Sequence, residues 1–327
     1  MSKILITGGA GFIGFHLVKK LSDNQNNEIH IIDNLIRGKI DGDFKSLTDK
    51  KNVTFFNLDL KNPESFRKLD DDFDYVYHLA AIIGVKHVKE RPEQVISVNA
   101  LSTLNILDWF VKSNCKKIFF SSTSETYSWT RTFYDLPVPT PENVPLSITD
   151  PFNPRSTYAL SKIFGEVAVI NYCRKFEKPF TIVRYHNVYG SRMGTVHVIP
   201  EIYKKIIGGM NPLPVYSVDH SRAFCYVDDA INESIMAMES SKTDNEILNL
   251  GNDKEEVTIE ELVNRIISIV GKEIEIMPLK SEDPIKRRCP DITKMRSLVN
   301  YEPIVTLNEG LKKTIDWYKV HLNESTQ

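Results

Sequence analysis

Cysteine is scarce in this chain, and neither sign of charge dominates its composition. Four cysteines occur among 327 residues, more than fifty residues apart in sequence, at Cys115, Cys173, Cys225 and Cys289. Their spacing includes no Cys-x-x-Cys pair, which argues against a zinc site and a disulfide framework and fits a reducing compartment. Lys and Arg together number 41 and Asp and Glu 43, for a formal net charge of −2. Since no basic stripe is present, a nucleic-acid partner is not favoured.

Long apolar runs are missing as well. Nothing in the sequence approaches the ~18 consecutive apolar residues of a membrane span. The N-terminal apolar stretch is interrupted by glycines and lacks the small-residue cleavage pattern of a signal peptide. We therefore expect no membrane partner and a cytoplasmic location. The composition, 41% hydrophobic and 26% charged, is typical of a globular chain that buries a sizeable core.

The first half of the chain alternates short apolar runs with helical patterns. The runs predict strands at Lys3–Thr7, Glu28–Asp33, Val53–Asn57, Tyr75–Leu79, Lys117–Ser121 and Phe180–Tyr185. The segments between them predict helices at Phe15–Ser22, Ser97–Ser113 and Thr157–Phe176. This alternation predicts an α/β fold with a doubly wound, mostly parallel sheet. Prolines become frequent after residue 190, so we expect one domain over 1–188, with later strands returning near 215–252, and a smaller lobe over 189–327.

The stretch "ITGGAGFIG" places three glycines directly after the first predicted strand. Gly8 suits a tight turn, Gly11 a close approach to a pyrophosphate, and Gly14 close packing of a helix on the strand. Asp33 follows at the end of the second strand, about 20 residues on, where an acidic residue meets a ribose 2′-hydroxyl. A carboxylate there repels a 2′-phosphate, so the pattern predicts a Rossmann domain that binds NAD rather than NADP. Arg37, four residues further, leaves NADP open.

The stretch "YALSK" places Tyr158 and Lys162 four residues apart, on one face of a helix and ~6 Å apart along its axis. A phenol has an ordinary pKa of ~10 and is a poor base at neutral pH. A neighbouring ammonium and an oxidised nicotinamide ring would favour the phenolate. The pair therefore indicates a tyrosine that can act as a base beside the cofactor.

Several further motifs accompany these two along nearly the whole chain. In order they read "TGGAGFIG", "HLAA", "SSTSETY", "YALSK", "RYHNVYG", "RAFCYVDD", "NLGN" and "RRCPDITK". With them the chain resembles the extended short-chain dehydrogenase/reductase family, which includes the nucleotide-sugar epimerases, dehydratases and decarboxylases. The resemblance implies a Rossmann sheet for NAD with a smaller C-terminal lobe for a UDP- or GDP-linked sugar, and a place in polysaccharide biosynthesis.

The resemblance also implies individual site residues. The implied cofactor contacts are Gly8, Gly11, Phe12, Ile13, Gly14, Asp33, Asn34, Asp59, Leu60, Leu79, Ala80, Ala81, Asn99, Ser121, Tyr158 and Lys162. The implied catalytic residues are Thr123, Glu125, Tyr158 and Lys162. The implied substrate contacts are Lys86, Asn187, Arg222 and Arg288, the last three at the diphosphate. No metal is implied.

The implied first step oxidises the sugar at C4. Tyr158 removes the proton of the C4 hydroxyl while the hydride passes to NAD, which leaves a 4-keto sugar. A closed site with little water protects that ketone.

The fate of the 4-keto sugar stays open. Ser124 stands where the resembling dTDP-glucose dehydratases carry Asp, so that type is disfavoured, and the Thr-Ser-Glu order is similar to UDP-glucuronate decarboxylases and GDP-mannose dehydratases. Glu125 is either an acid or base for a second reaction or an orienting hydrogen-bond partner. Epimerisation, decarboxylation, dehydration and release of the 4-keto sugar, for example from a GDP-heptose, all remain candidates. A different class, a catalytically silent NAD-binding module, is disfavoured because Thr123, Tyr158 and Lys162 occur together.

The interval of 35 residues from Thr123 to Tyr158 is longer than is typical of this family. The additional segment, "WTRTFYDLPV" at 129–138, contains aromatic residues and Arg131. It either overhangs the sugar site and selects the substrate or is an ordinary surface loop.

The predicted helices Ser97–Ser113 and Thr157–Phe176 carry many apolar residues. In the resembling family such helices pair across a two-fold axis as a four-helix bundle. We therefore expect a homodimer.

Overall fold

The computed structural model describes residues 2–280 and 285–322, and its strands are short apolar segments spread over the whole of that length. Within these residues fourteen strands form: β1 Lys3–Thr7, β2 Glu28–Asp33, β3 Val53–Asn57, β4 Tyr75–His78, β5 Lys117–Thr123, β6 Phe180–Tyr185, β7 Val188–Tyr189, β8 Leu213–Tyr216, β9 Ser221–Ala223, β10 Cys225–Tyr226, β11 Glu246–Leu250, β12 Glu256–Thr258, β13 Ile276–Leu279 and β14 Arg287–Arg288. Six of the first seven are the strands that the sequence predicts, with differences of one or two residues at the ends of β4 and β5.

The same part of the chain forms ten α-helices. They are α1 Phe12–Ser22, α2 Gly42–Thr48, α3 Val85–Glu90, α4 Pro92–Phe110, α5 Ser156–Lys175, α6 Val198–Ile207, α7 Val227–Glu239, α8 Ile259–Val270, α9 Thr293–Val299 and α10 Leu307–His321. Helix α4 begins earlier than predicted, with Pro92 at its first position. The proline ring fixes φ near the helical value, and its missing N–H costs nothing because an N–H at that position has no partner in the helix. None of the helices in the described ranges combines the length and apolar character that a bilayer crossing needs.

The central sheet has seven strands in the described ranges, in the order β11-β6-β5-β4-β1-β2-β3. All of its neighbours pair in parallel. This confirms the doubly wound parallel sheet, and the order reverses between β1 and β4, where such sheets bind ligands at the carboxyl ends of their strands. The late strand β11 extends the sheet beside β6.

Apolar side chains cover both faces of this sheet. Along β1, Ile4 and Ile6 point into one buried cluster and Leu5 into another, because successive side chains of a strand alternate. Helices α1 and α7 cover the first face, and helices α4 and α5 cover the second. Both faces of the sheet are buried under helices, which explains why the strand sequences are continuously apolar.

Smaller sheets lie toward the C-terminal part of the chain. Strand β9 pairs with β12 and with β14, and β8 pairs with β13. The register of β14 on β9 sets Arg288 directly opposite Arg222. A bridge between Thr140 and Pro290 then joins the segment after β5 to the end of β14. These pairings bring residues from distant parts of the sequence to the carboxyl ends of β5 and β6.

Candidate active site

The loop between β1 and α1 depends on its glycines for its shape. Gly8 has a φ of +75°, and its N–H donates to the carbonyl oxygen of Ile32 at 2.7 Å. A Cβ atom on Gly14 would lie 2.1 Å from the carbonyl oxygen of Gly8, so only glycine lets helix α1 start so close to the loop. Gly11 caps α1 without a side-chain hydrogen bond. The first N–H groups of α1 therefore suit the phosphates of a dinucleotide.

A cavity of about 480 Å³ opens beside this loop. Twelve of the sixteen expected cofactor residues line it: Gly8, Gly11, Phe12, Ile13, Gly14, Asp33, Asn34, Asp59, Leu60, Leu79, Ala80 and Ala81. Its volume is within the usual range for a ligand site. Together with the helix N-terminus and the acidic residue at the end of β2, these residues fit NAD.

Asp33 closes the end of β2 with part of its hydrogen-bonding capacity in use. One carboxylate oxygen accepts the N–H of Ala10 at 3.0 Å, and the other accepts the N–H of Leu35 at 2.8 Å. Burial raises the pKa of Asp33, while these backbone donors and the Arg37 guanidinium oppose the rise. A carboxylate has about four acceptor positions, so room remains for ribose hydroxyls.

The cavity also has walls that the sequence did not reveal. They come from the loop after β2, from residues near α6 and from α10: Lys39, Arg192, Met193, Gly194, Thr195, His197, Trp317, Tyr318 and His321. Arg37, already considered for its bearing on NADP, lines the cavity as well. On α10 the rings of Trp317 and His321 stack with centroids 4.2 Å apart. No motif marks these positions, because their place in the wall depends on packing between segments that are remote in sequence.

Tyr158 and Thr123 meet at the carboxyl end of β5. Thr123 is the last residue of β5, and its hydroxyl lies close enough to the Tyr158 phenol to lower the pKa of that phenol. Burial raises the pKa of Tyr158; the Thr123 hydroxyl and the charge of Arg37 lower it, and Glu125 raises it. The net shift is upward, so the protein groups alone keep the phenol protonated. The expectation that a neighbouring ammonium and an oxidised nicotinamide ring together favour the phenolate stays a prediction.

Lys162 lies one helical turn after Tyr158 and is buried. Its ammonium donates to the carbonyl oxygen of Ser121 at 2.7 Å and lies 5.0 Å from the ring centroid of Phe120. Burial lowers the pKa of Lys162 to about 8, against the opposing charge of Glu166. The lysine is thus fixed in place, and its proton is held less tightly than in water.

Asn99 and Ser121, two expected cofactor contacts, do not line the cavity. The Asn99 amide oxygen accepts the N–H of Ile82 at 2.8 Å, and its amide nitrogen donates to Ile82 and to Ser161, each at 3.1 Å. The Ser121 hydroxyl donates to the carbonyl oxygen of His78 at 3.1 Å. A buried amide must satisfy its donors and acceptors within the protein, and here it ties the segment after β4 to α5.

Glu125 forms an ion pair with Arg288, a contact that the sequence analysis did not predict. The carboxylate also accepts the hydroxyl of Ser128 at 3.1 Å. Burial alone would raise the pKa of Glu125, but Arg288, Ser128 and Arg155 outweigh it and hold the pKa below its usual value. Glu125 is therefore a carboxylate at neutral pH, suited to act as a base or an orienting group rather than as an acid.

A second ion pair, between Arg184 and Glu166, is fully buried in the protein. The Arg184 guanidinium binds both oxygens of Glu166, at 2.8 and 2.6 Å, and donates to the Tyr127 hydroxyl at 2.7 Å. Tyr127 in turn donates to the amide oxygen of Asn249 at 2.8 Å. Tyr127 ends the short 3-10 helix Ser124–Tyr127, so this network fixes the helix that carries Glu125.

Three of the four expected substrate residues, Asn187, Arg222 and Arg288, lie on neighbouring segments. The Arg222 guanidinium donates to the carbonyl oxygens of Ser221 at 2.8 Å and of Lys286 at 3.0 Å. Asn187 has a φ of +39°, and its amide donates to the carbonyl oxygen of Ala223 at 3.0 Å. Lys86 belongs to α3, and its side chain lies outside the described part of the structure.

Comparison with known proteins places this geometry in context. The model of the "NAD dependent epimerase/dehydratase family" matches residues 4–251. A UDP-N-acetyl-alpha-D-glucosaminuronate decarboxylase of Bacillus cytotoxicus is 32% identical over 97% of this chain and 98% of its own length. UDP-glucuronic acid decarboxylase 1 of Danio rerio is 32% identical over 98% of this chain and 73% of its own. The crystal structure of UDP-glucuronic acid 4-epimerase from Bacillus cereus with NAD has a TM-score of 0.85 and 29% identity, and the match covers 97% of this chain and 98% of that one.

Proposed function

Because the chain belongs to the NAD-dependent epimerase/dehydratase family, and NAD is its cofactor, we propose that it oxidises C4 of a nucleotide-linked sugar. The observation that carries the proposal is the position of the Tyr158 phenol beside the Thr123 hydroxyl at the end of β5, with buried Lys162 one turn away. In this proposal Tyr158 takes the proton of the C4 hydroxyl and Thr123 holds the same oxygen. NAD, when bound, supplies the acceptor for the hydride from C4 and a positive ring whose field lowers the pKa of the phenol.

The protein groups prepare this proton transfer. The raised pKa of Tyr158 keeps the phenol protonated until a further positive charge lies beside it. Lys162, with a pKa of about 8, holds the carbonyl oxygen of Ser121 and keeps a cation one turn below the phenol. Proton abstraction is thereby tied to cofactor binding, which limits side reactions of a free phenolate.

The test is mass spectrometry of nucleotide sugars after incubation with the enzyme and NAD. The panel includes UDP-glucose, UDP-N-acetylglucosamine, UDP-glucuronate and GDP-mannose. Loss of water, carbon dioxide or two hydrogens identifies the reaction. At unchanged mass, a change in the NMR coupling constants of the C4 proton reveals epimerisation, because the hydride taken from C4 returns to it without exchange with solvent. Tyr158→Phe should abolish each of these changes, while Tyr172→Phe, further along the same helix, should retain them. An unaltered product yield with Tyr158→Phe would rule out the proposed base.

A second candidate is decarboxylation of a nucleotide-linked uronic acid, and the Glu125–Arg288 ion pair favours it. Oxidation at C4 makes the C6 carboxylate that of a β-keto acid; the C5–C6 bond then breaks, its electrons move to the C4 carbonyl and carbon dioxide leaves. No group must protonate a leaving hydroxyl, which suits a Glu125 that stays ionised. Dehydration would need such an acid. Carbon dioxide release from UDP-glucuronate, and none after Arg288→Gln, would support this outcome; wild-type product that keeps its carboxylate would contradict it.

We also propose a homodimer through α4 and α5. Leu101, Leu160, Phe164 and Val167 are apolar yet exposed on these helices, at 44%, 40%, 38% and 54%. Ile106 and Leu107 on α4 are buried in the core instead and take no part. Light scattering at micromolar concentration should give twice the mass of one chain, and Val167→Lys should reduce it. A monomeric wild type would contradict the proposal.

A further inference from the structure

The segment 129–138 is anchored on the protein near both of its ends, while residues 132–135 in its middle are exposed. Thr140, just after this segment, pairs with the residues that follow β14. Its N–H donates to the carbonyl oxygen of Cys289 at 2.9 Å, and its carbonyl oxygen accepts the N–H of Asp291 at 2.9 Å. At its other end the hydroxyls of Thr130 and Ser147 lie 3.0 Å apart in a hydrogen bond. The segment therefore forms a wall next to the strand that carries Arg288.

Arg131 is the cation that this wall contributes. Its guanidinium donates to the carbonyl oxygens of Arg287 at 3.4 Å and Pro137 at 3.3 Å and to the hydroxyl of Thr140. All of these acceptors are neutral. An arginine has five N–H donors, so among the described residues these contacts leave two of the donors of Arg131 without an acceptor.

Arg131 and Arg288 line the same small cavity, with the hydroxyls of Ser124 and Ser128 and the ring of His186. The cavity measures only about 10 Å³, the space of a single water molecule. It adjoins the end of β5, because Ser124 directly follows Thr123. Two like charges beside each other raise the electrostatic energy unless an anion lies between them. Glu125 serves Arg288 in this way. Arg131 has no carboxylate within ion-pair distance among the described residues, and the charge of Asp135, in the same segment, acts on it from further away.

We propose that Arg131 recognises a carboxylate on C5 of the sugar, so that the substrate is a nucleotide-linked uronic acid. This inference rests on the proposed oxidation at C4, since C5 is the next ring carbon and its substituent lies beside the atom that Tyr158 and Thr123 hold. A guanidinium matches a carboxylate with paired hydrogen bonds, which a neutral hydroxymethyl group cannot supply. Since the cavity has the space of a single water molecule, the carboxylate would lie at its mouth rather than inside it.

The test compares an acidic with a neutral sugar on variants of Arg131. For wild type and Arg131→Gln, kcat/KM and the dissociation constant in the presence of NAD are measured with UDP-glucuronate and with UDP-glucose. Arg131→Gln removes a hydrogen bond to a charged group, so it should weaken binding of UDP-glucuronate by roughly 10- to 100-fold. Binding of UDP-glucose should change little. Arg131→Lys, which retains the charge, should recover part of the loss. Arg174→Gln removes an exposed cation elsewhere and should change neither substrate.

Thr140→Val separates recognition from support of the wall. It removes the hydroxyl that accepts from Arg131 and donates to Pro137 at 2.8 Å, yet leaves the charge in place. If Arg131 only supports the segment, Thr140→Val and Arg131→Gln should each lower kcat/KM for UDP-glucuronate and for UDP-glucose by the same factor. That result would overturn the inference. A wild type that prefers UDP-glucose would overturn it too while leaving C4 oxidation intact. If the wild type oxidises neither sugar, the proposed function fails, and the ratio of dissociation constants alone then decides the role of Arg131.

Discussion

Replacing Glu233 with glutamine should make the stability of the protein less dependent on pH. Glu233 lies on α7 with no exposed surface, and neither oxygen of its carboxyl group has a hydrogen-bond partner in the described residues. Burial raises the pKa of Glu233 well above its ordinary value, and the negative charge of Asp229, one turn earlier, acts in the same direction. The folded protein therefore holds this side chain in its neutral form.

The sign of the effect is set by proton binding. Below the ordinary glutamate pKa of about 4.3, the group is protonated in both the folded and the unfolded chain and does not affect the pH dependence. Above that value the unfolded chain releases the proton and the folded chain keeps it. The free energy of unfolding then falls by about 1.4 kcal/mol per pH unit until the pH reaches the raised pKa. Over any two pH units below the raised pKa the loss is about 2–3 kcal/mol. Glutamine does not titrate, so Glu233→Gln lacks this loss.

The assay is urea unfolding of both proteins at several pH values between 5 and 8. The difference in unfolding free energy, variant minus wild type, should increase with pH. Any cost in stability of burying the glutamine amide does not depend on pH. It shifts the free-energy difference by the same amount at every pH and leaves its slope against pH unchanged. Glu260→Gln, which removes an exposed carboxylate, controls for the altered net charge. A difference that stays constant across this range would refute the reasoning, because it would mean that Glu233 is ionised in the folded protein.

Three further substitutions test the cofactor loop and the buried ion pair. Gly14→Ala should weaken NAD binding at least tenfold, measured by calorimetry, because its Cβ would collide with the carbonyl oxygen of Gly8; Gly42→Ala, where the Cβ meets open space, should not. Asp33→Asn should lower the preference for NAD over NADP by roughly tenfold, since it removes a repulsion of about 1–2 kcal/mol, and an unchanged ratio of dissociation constants would count against the ribose contact. Glu166→Gln should cost about 3–5 kcal/mol in unfolding free energy by leaving a buried guanidinium without its anion, and a loss below 1 kcal/mol would show that water reaches the site.

Local sequence predicted the parts of the molecule that local interactions decide. The strands around the glycine loop lie where their apolar runs are, and the spacing of Tyr158 and Lys162 sets their common face whatever surrounds them. The Glu125–Arg288 ion pair escaped prediction because it depends on how β14 aligns with β9, a pairing of short strands with little pattern of their own. The role of Asn99 was also hidden, since an amide that braces the fold and an amide that binds a ligand look identical in sequence.

The buried network around Arg184 is a second example of contacts that local sequence did not predict. Its members come from the 3-10 helix Ser124–Tyr127, α5, β6 and β11, so no continuous segment contains it. A residue such as Tyr127 is fixed by partners more than fifty positions away in sequence. Such contacts depend on the order of strands in the sheet, which only the assembled fold defines.

The walls of the large cavity couple the two ends of the polypeptide. Gly8 and Gly11 form one side, and Trp317 and His321 on the last helix form another. A molecule that fills the cavity touches both, so detachment of α10 from the body must also break contacts with that molecule. Cofactor binding should therefore stabilise α10 against local unfolding and reduce its cleavage by proteases, although α10 is far in sequence from the glycine loop.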